Sequence, residues 1–197
     1  MSSKFSHTLS KVVLGSLALY FLYLFSQVIN VVNRRHLGTN DGTYVNNTRS
    51  NKTLQKLAFS LTKNCLDNQC KTQNILDYVS NIPYVVNNFT AHLPTQTIEK
   101  NFGDCDDKSN LLISLLHALK IESYFVLVPK HIFVIVPFEN IPSKKALYLN
   151  NRAYYILEST AKDSKIGYPL TYQVNEISTI FEPFENKKLN IDTLKYK

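Results

Sequence analysis

Of the three cysteines in the chain, Cys105 has the most chemically charged surroundings, Gly103-Asp104-Cys105-Asp106-Asp107-Lys108. From Asp106 onward the sequence reads as a strongly apolar helix, so this cysteine stands at a helix mouth. A helix N-terminus presents unpaired N–H groups and a partial positive charge, which favour thiolate over thiol. The cysteine's own N–H is then placed to help hold a developing oxyanion. Asp104 suits the N-cap, and Gly103 lets the chain turn tightly into the helix. Three carboxylates work the other way, because they repel a thiolate and raise its pKa. A histidine partner is therefore needed. Without one, Cys105 is a buried, inert residue at a helix start.

Five histidines could serve. His7 and His36 flank a long apolar segment and are excluded by location. His117 lies on the same helix, about 18 Å along the axis at the usual rise per residue, too far to touch Cys105. His92 falls in a loop and stays open as an alternative. His131 opens the apolar run HIFVIVPF, where a strand holds its side chain and turns it toward the helix N-terminus. A lone strand histidine is more often a satisfied core residue, but the pairing with Cys105 favours a base. Such a base needs an acceptor to fix its tautomer. Glu158 closes the run AYYILE, on one strand face with Ile156 and Tyr154. Asp163, five residues further in a loop, is the second choice.

The elements that must position these groups follow from periodicity. Leu54, Leu57, Ala58, Leu61 and Cys65 fall at helical spacing, and a second helix is expected from about Lys71 to Ser80. NIPYVV (81–86) is extended, since Ile82 precedes proline, and residues 87–100 read as a loop. Beyond the central helix the period changes. YFVLVP and HIFVIVPF form a hairpin at Pro129-Lys130, and ALYLN with AYYILE forms another around Asn150-Asn151-Arg152. Helices followed by strands predict an α+β domain, a central helix packed on an antiparallel sheet.

GDCDDKSNLLISLLHALKI, followed by a strand opening on His131 and then YYILEST, resembles the transglutaminase-like superfamily of papain-type cysteine hydrolases and peptidases, in its bacterial or archaeal form. ILDYVSNIPYV resembles the helix and extended segment that precede the nucleophile there, so the likeness covers about residues 70–168. It implies Cys105 as nucleophile, His131 as general base and Glu158 as orienting acid. The family more often has Asp at the third position and an aromatic residue just after the histidine, to which Phe133 only roughly corresponds. Tyr84 is a candidate by position for the second oxyanion donor. The expected chemistry is acyl transfer from a peptide or amide through a Cys105 thioester. Water as acceptor makes a hydrolase, most simply a cysteine peptidase, and an amine acceptor makes a cross-linking transglutaminase. A non-catalytic peptide-binding module is the alternative from another class, though such a module has no need of all three residues.

No cofactor or metal is expected. Asp104, Asp106 and Asp107 lack the glycine turn and late Glu of a calcium loop, no His/Cys spacing suits zinc, and no phosphate-binding Gly-rich loop occurs. The net charge of +7 is misleading. Lys4, Lys11, Arg34 and Arg35 precede every acidic residue, and without them 18 basic face 15 acidic groups. With no aromatic-interleaved basic stripe, nucleic acid is not expected as a partner.

Residues 12–32, VVLGSLALYFLYLFSQVINVV, carry no formal charge and are long enough to cross a membrane as a helix. Lacking a short apolar core with a small-x-small cleavage site, they read as an uncleaved, single-pass signal-anchor. The expected organisation is a membrane anchor at 1–37, a polar tether at 38–51 and a transglutaminase-like domain at 52–197. The flanking charges leave orientation open. Sequons at Asn46, Asn51 and Asn88 fit an extracytoplasmic domain, as does a disulfide between Cys65 and Cys70 that leaves Cys105 as the free thiol.

Overall fold

The computed structural model describes residues 2–32, 35–39, 42–86 and 91–197. The chain divides into two units, Met1–Arg35 and His36–Lys197. The first holds helix α1, Ser2–Val32, whose described side chains from Ser10 to Ser26 are exposed. Among the described residues no helix is long and apolar enough to cross a membrane. The expected span, residues 12–32, runs past Ser26 into side chains that lie outside the described residues, so the sequence-based anchor finds no support there.

In the second unit the helices come first. Asn51 caps α2 (Lys52–Leu61) by accepting the Leu54 N–H at 2.9 Å, and Asp67 caps α3 (Asn68–Ser80) through the Cys70 N–H at 2.7 Å. A short helix, α4 (Pro94–Lys100), occupies the end of the stretch expected to be loop. Pro94 starts it, a position where proline's missing N–H costs nothing. Helix α5 (Cys105–Ala118) begins one residue earlier than expected, capped by Asp104, which accepts the Asp107 N–H at 3.3 Å.

Behind the helices lies an antiparallel sheet of seven strands: β3 (Tyr124–Val128), β4 (His131–Pro137), β5 (Leu147–Leu149), β6 (Arg152–Leu157), β7 (Thr179–Glu182), β8 (Lys187–Lys188) and β9 (Leu194–Tyr196). Their spatial order is β8-β7-β3-β4-β6-β5-β9. Leu149 pairs with Arg152, so the β5–β6 turn is Asn150-Asn151 alone, with φ of 48° and 70°. Positive φ at both positions marks the tight turn for which asparagine is favoured. The core expected from the sequence, a central helix on an antiparallel sheet, is therefore present.

Alternation divides the strand side chains between two clusters. Phe125, Leu127, Ile132, Val134, Tyr155 and Leu157 pack with the buried run of α5, Leu111–Leu116. Val126, Val128, Phe133, Ile135 and Ile156 face the opposite side, against Tyr168, Leu170 and Tyr172 of the C-terminal segment. Both faces are covered, and this explains why YFVLV and HIFVIV are continuously apolar. Each such side chain, fully buried, contributes roughly 1.5–3 kcal/mol.

The expected tether differs most from observation. Strands β1 (Arg35–Thr39) and β2 (Gly42–Asn46) pair there, and Leu37, Tyr44, Asn46, Asn47 and Thr48 are buried. The Val45 N–H donates to Asp106 Oδ2 (3.1 Å), Asn110 Nδ2 donates to the Val45 carbonyl (2.7 Å), the Asn47 N–H donates to Asn110 Oδ1 (2.7 Å), and the Arg49 N–H donates to Ser114 Oγ (3.0 Å). Asp106, Asn110 and Ser114 recur every four residues and so form one stripe along α5. The segment is polar because its side chains pair internally. Asn46 donates to the Pro183 carbonyl and Asn186 Oδ1, which removes its sequon from the surface. Asn51 is a helix cap, and Asn88 lies outside the described residues.

Candidate active site

Cys105, half-buried, is the first residue of α5. Gly103 is needed here for close packing, since a Cβ on it would lie 2.8 Å from the Asp107 Cβ. Its φ is not positive, so the position does not use the left-handed conformation open to glycine. The Gly103 N–H donates to the Pro83 carbonyl (3.2 Å) and its own carbonyl accepts the Val85 N–H (3.1 Å), a parallel bridge centred on Tyr84. This pairing fixes NIPYVV two residues from the nucleophile candidate. Lys108, completely buried, reinforces it: Nζ donates to the carbonyls of Ile82 (2.7 Å) and Ser80 (3.2 Å) at the end of α3. Burial pulls the lysine down to about 8, opposed by the charge of Glu158.

The start of β4 meets the same helix. Ser109 Oγ, one turn after Cys105, donates to the Ile132 carbonyl (3.4 Å) and contacts Ser159 Oγ at 3.3 Å. The Cys105 sulfur in turn receives a hydrogen bond from the backbone of Ile132. His131, adjacent to Ile132, places Nε2 2.8 Å from Glu158 Oε2. The other oxygen of Glu158 accepts the Thr160 N–H (2.9 Å) and hydroxyl (2.5 Å). With Nε2 donating to Glu158, Nδ1 is the ring nitrogen left to take a proton. The imidazole lies between Tyr172, nearly parallel at 6.3 Å between ring centroids, and Phe133 at 6.4 Å.

Electrostatics here are dominated by burial and by carboxylates. Burial first, then the charges of Asp106 and Asp104, push the Cys105 thiol up to about 12, while hydrogen bonds at the Ile132 and Asp106 backbone pull against them. The helix N-terminus is therefore outweighed, and the resting group is a thiol. Burial and a hydrogen bond shared with Asp104 hold Asp106 well above the usual carboxylate range. Burial also pushes Glu158 up, but the bonds to His131 and Thr160 outweigh it and leave this carboxyl below its ordinary value. A thiol at the start of α5 and an imidazole at the start of β4, tied to an ionised carboxylate, are the groups a proton relay requires, with Glu158 able to steady an imidazolium.

The remaining sequence candidates fall elsewhere or do other work. Asp163 is exposed, with φ of 57° in its turn, and Glu158 holds the imidazole bond. The His92 ring lies 3.1 Å from Asp107 Oδ2 and 3.0 Å from Lys100 Nζ, and the backbone N–H of His92 donates to Asp107 Oδ1 at 2.6 Å. That clasp ties the loop before α4 to the first turn of α5. His117 stacks on Phe184. Cys65 and Cys70 are joined as a disulfide, and Cys105 is free. Tyr84 is half-exposed, its phenol raised first by burial and then by the nearby charges of Cys105, Asp104, Asp106 and Glu158. Asp104, Asp106 and Asp107 can each offer one oxygen within 4.8 Å of the others, a grouping able to hold a cation. Asp107 is already engaged by His92, and Asp106 by Val45. Two neighbours escaped the sequence reading. Lys108 lies in the motif itself, where a charged residue on the buried face of an apolar helix is the signal. Tyr172 is 41 residues beyond His131 in irregular chain and carries no local signal.

The site does not coincide with the larger hollows. One of about 550 Å³ is lined by Leu61, Tyr78 and Asn101, and one of about 580 Å³ by Phe138, Tyr148 and Arg152. Among the described residues, a crevice of about 10 Å³ between Phe133, Glu158 and Tyr172 adjoins it.

Three solved structures resemble this chain: a candidate cysteine protease of Cytophaga hutchinsonii (18% identity, 74% of this chain and 50% of that one, TM-score 0.47), LapG of Legionella pneumophila (16%, 61% and 77%, 0.41) and a candidate protease of Parabacteroides distasonis (14%, 59% and 28%, 0.39). The chain thus spans half the length of the Cytophaga protein. No curated protein matches it. Residues 55–132, which include Cys105 and end one residue past His131, match the family model of the transglutaminase-like superfamily core.

Proposed function

We propose that the domain is a cysteine hydrolase that cleaves a peptide or amide bond through a thioester on Cys105, with His131 as base and Glu158 as the residue that orients it. The observation that carries this reading is the His131–Glu158 bond, which leaves Nδ1 free of that bond on the residue next to Ile132, whose backbone is hydrogen-bonded to the Cys105 thiol. In acylation the sulfur gives its proton to Nδ1 and attacks the carbonyl carbon. The Cys105 N–H and the Tyr84 hydroxyl stabilise the oxyanion. Nδ1 then returns the proton to the leaving amine, and water, deprotonated by the same nitrogen, releases the acid. A raised phenol pKa keeps Tyr84 a donor throughout.

The same groups would serve a transglutaminase, with an amine in place of water. The membrane reading also belongs here: residues 12–32 would anchor the protein, with the domain outside the cytoplasm, where the Cys65–Cys70 disulfide would persist. Incubation with a capped peptide anilide and a fluorescent primary amine tests the central reaction. Free acid formed by wild type and not by Cys105→Ala supports hydrolysis, and amide to the fluorescent amine supports transfer. Turnover unaffected by Cys105→Ala rejects both.

A further inference from the structure

Among the described residues the hollow adjoining the site is a crevice of about 10 Å³, yet three consecutive apolar residues beside Cys105, Tyr84, Val85 and Val86, are 49%, 46% and 59% exposed. The bridge to Gly103 engages the Pro83 carbonyl and the Val85 N–H. In extended chain these groups point to one side, and the N–H and carbonyl of Tyr84 point to the other. Among the described residues no hydrogen bond engages either group. The same alternation puts the Tyr84 and Val86 side chains on one face and Val85 on the opposite face. The Tyr84 phenol lies near the thiol, since the charges of Cys105, Asp104, Asp106 and Glu158 act on it.

We infer that the edge Tyr84–Val86 binds the substrate as an added strand: the backbone of an extended polypeptide pairs with the N–H and carbonyl of Tyr84, and an apolar side chain rests on Tyr84 and Val86. This rests on the hydrolase reading and adds the substrate class, an extended peptide segment with apolar residues and without carboxylates beside the scissile bond. Main-chain pairing supplies affinity that does not depend on sequence, as in other strand-addition sites. The side chains supply the selection, and the carboxyl groups of Asp104 and Glu158 disfavour acidic residues in the substrate. A shallow site suits this mode, because an edge needs no pocket.

The test uses the full chain and two acetyl-capped tetrapeptidyl acyloxymethyl ketones, one all-valine and one all-glutamate, with iodoacetamide as a probe too small to span the edge. In each ketone the Cys105 sulfur displaces the carboxylate leaving group. Wild type should react at least tenfold faster with the valine probe than with the glutamate probe. Methylating one amide nitrogen of the valine probe should cost at least tenfold at one position. Val86→Glu should lower the ratio of valine-probe to iodoacetamide rate at least tenfold, and Val85→Glu, on the opposite face, by less than threefold. Equal rates for the two ketones, no sensitive position in the methyl scan, or equal effects of the two substitutions would overturn the edge. Absence of iodoacetamide labelling at Cys105 in wild type would instead overturn the hydrolase reading, and this inference with it.

Discussion

Nε2 of His131 lies 2.8 Å from Oε2 of Glu158, while the second oxygen of that carboxylate is tied to the N–H and hydroxyl of Thr160. Both oxygens are thus spoken for, so the carboxylate is held against rotation and Nδ1 is the imidazole nitrogen left free of it. Glu158→Gln keeps the shape but removes the charge that supports the imidazolium. It should lower the rate of thiol labelling toward that of His131→Ala, a loss on the order of 10⁴-fold by analogy with a triad acid. Asp163→Asn, at an exposed turn, should stay near wild type. The reverse ranking would reassign the third residue.

The same pair predicts an acid limit. Because the folded state holds the Glu158 pKa below its ordinary value, its contribution to stability is complete above the unfolded carboxylate's pKa. That contribution is lost as pH falls through the folded pKa. Thermal melting between pH 7 and pH 3 should show a steeper loss for wild type than for Glu158→Gln. Parallel curves would contradict this.

Asp106 works in the opposite direction. Its carboxyl is raised by burial and by Asp104, so the folded protein holds this proton more tightly than the unfolded chain does. Stability from the retained proton is present at low pH and declines as pH rises toward the folded pKa. Once ionised, Asp106 also repels a Cys105 thiolate. Asp106→Asn keeps an acceptor for the Val45 N–H and should flatten that decline while accelerating alkylation of Cys105 at alkaline pH several-fold. Slower alkylation in the variant would reverse the sign argued here.

The stripe Asp106, Asn110 and Ser114 sets where the domain can be cut. Asn110→Ala would leave the Val45 carbonyl and the Asn47 N–H without partners, at a cost of roughly 2–5 kcal/mol. A chain beginning at His36 should melt like the full protein, whereas one beginning at Asn51 loses Leu37, Tyr44 and every backbone partner of the stripe, and should melt much lower. Equal melting temperatures would return residues 38–50 to the role of a passive tether.

The Cys65–Cys70 bridge closes a short loop between α2 and α3, and loop closure of that size is worth about 2 kcal/mol. Alkylation and mass measurement of unreduced, unfolded protein should find one free thiol. Three would place the protein's disulfide in doubt and weaken the case for an oxidising compartment.

What the sequence disclosed and what it hid differ for physical reasons. Helix α5 and strands β3–β6 announce themselves because their apolar residues recur at the period of each element, and Asn150-Asn151 specifies a tight turn by its residue types alone. The contact between His131 and Glu158 was legible because adjacent antiparallel strands bring the start of one near the end of the next. Residues 44–49 were read as solvated because Asn46, Asn47 and Thr48 are polar, but composition does not say whether polar groups pair with water or with Asn110 and Pro183. Tyr172 was invisible because only the covering of the second sheet face by irregular chain brings it to His131. For the thiol, helix polarity and carboxylates were legible as opposing effects, but the burial that adds to the carboxylates and tips the balance cannot be seen in one dimension.

The most direct test of the central claim is the rate of iodoacetamide labelling at neutral pH, site by site, for wild type, Cys105→Ala and His131→Ala. Because burial and the neighbouring carboxylates push the Cys105 thiol up to about 12, reactivity at neutral pH must come from passing its proton to His131, which predicts labelling confined to Cys105, absent in Cys105→Ala and at least 100-fold slower in His131→Ala. Labelling of Cys105 at the same rate with and without the His131 imidazole would contradict it.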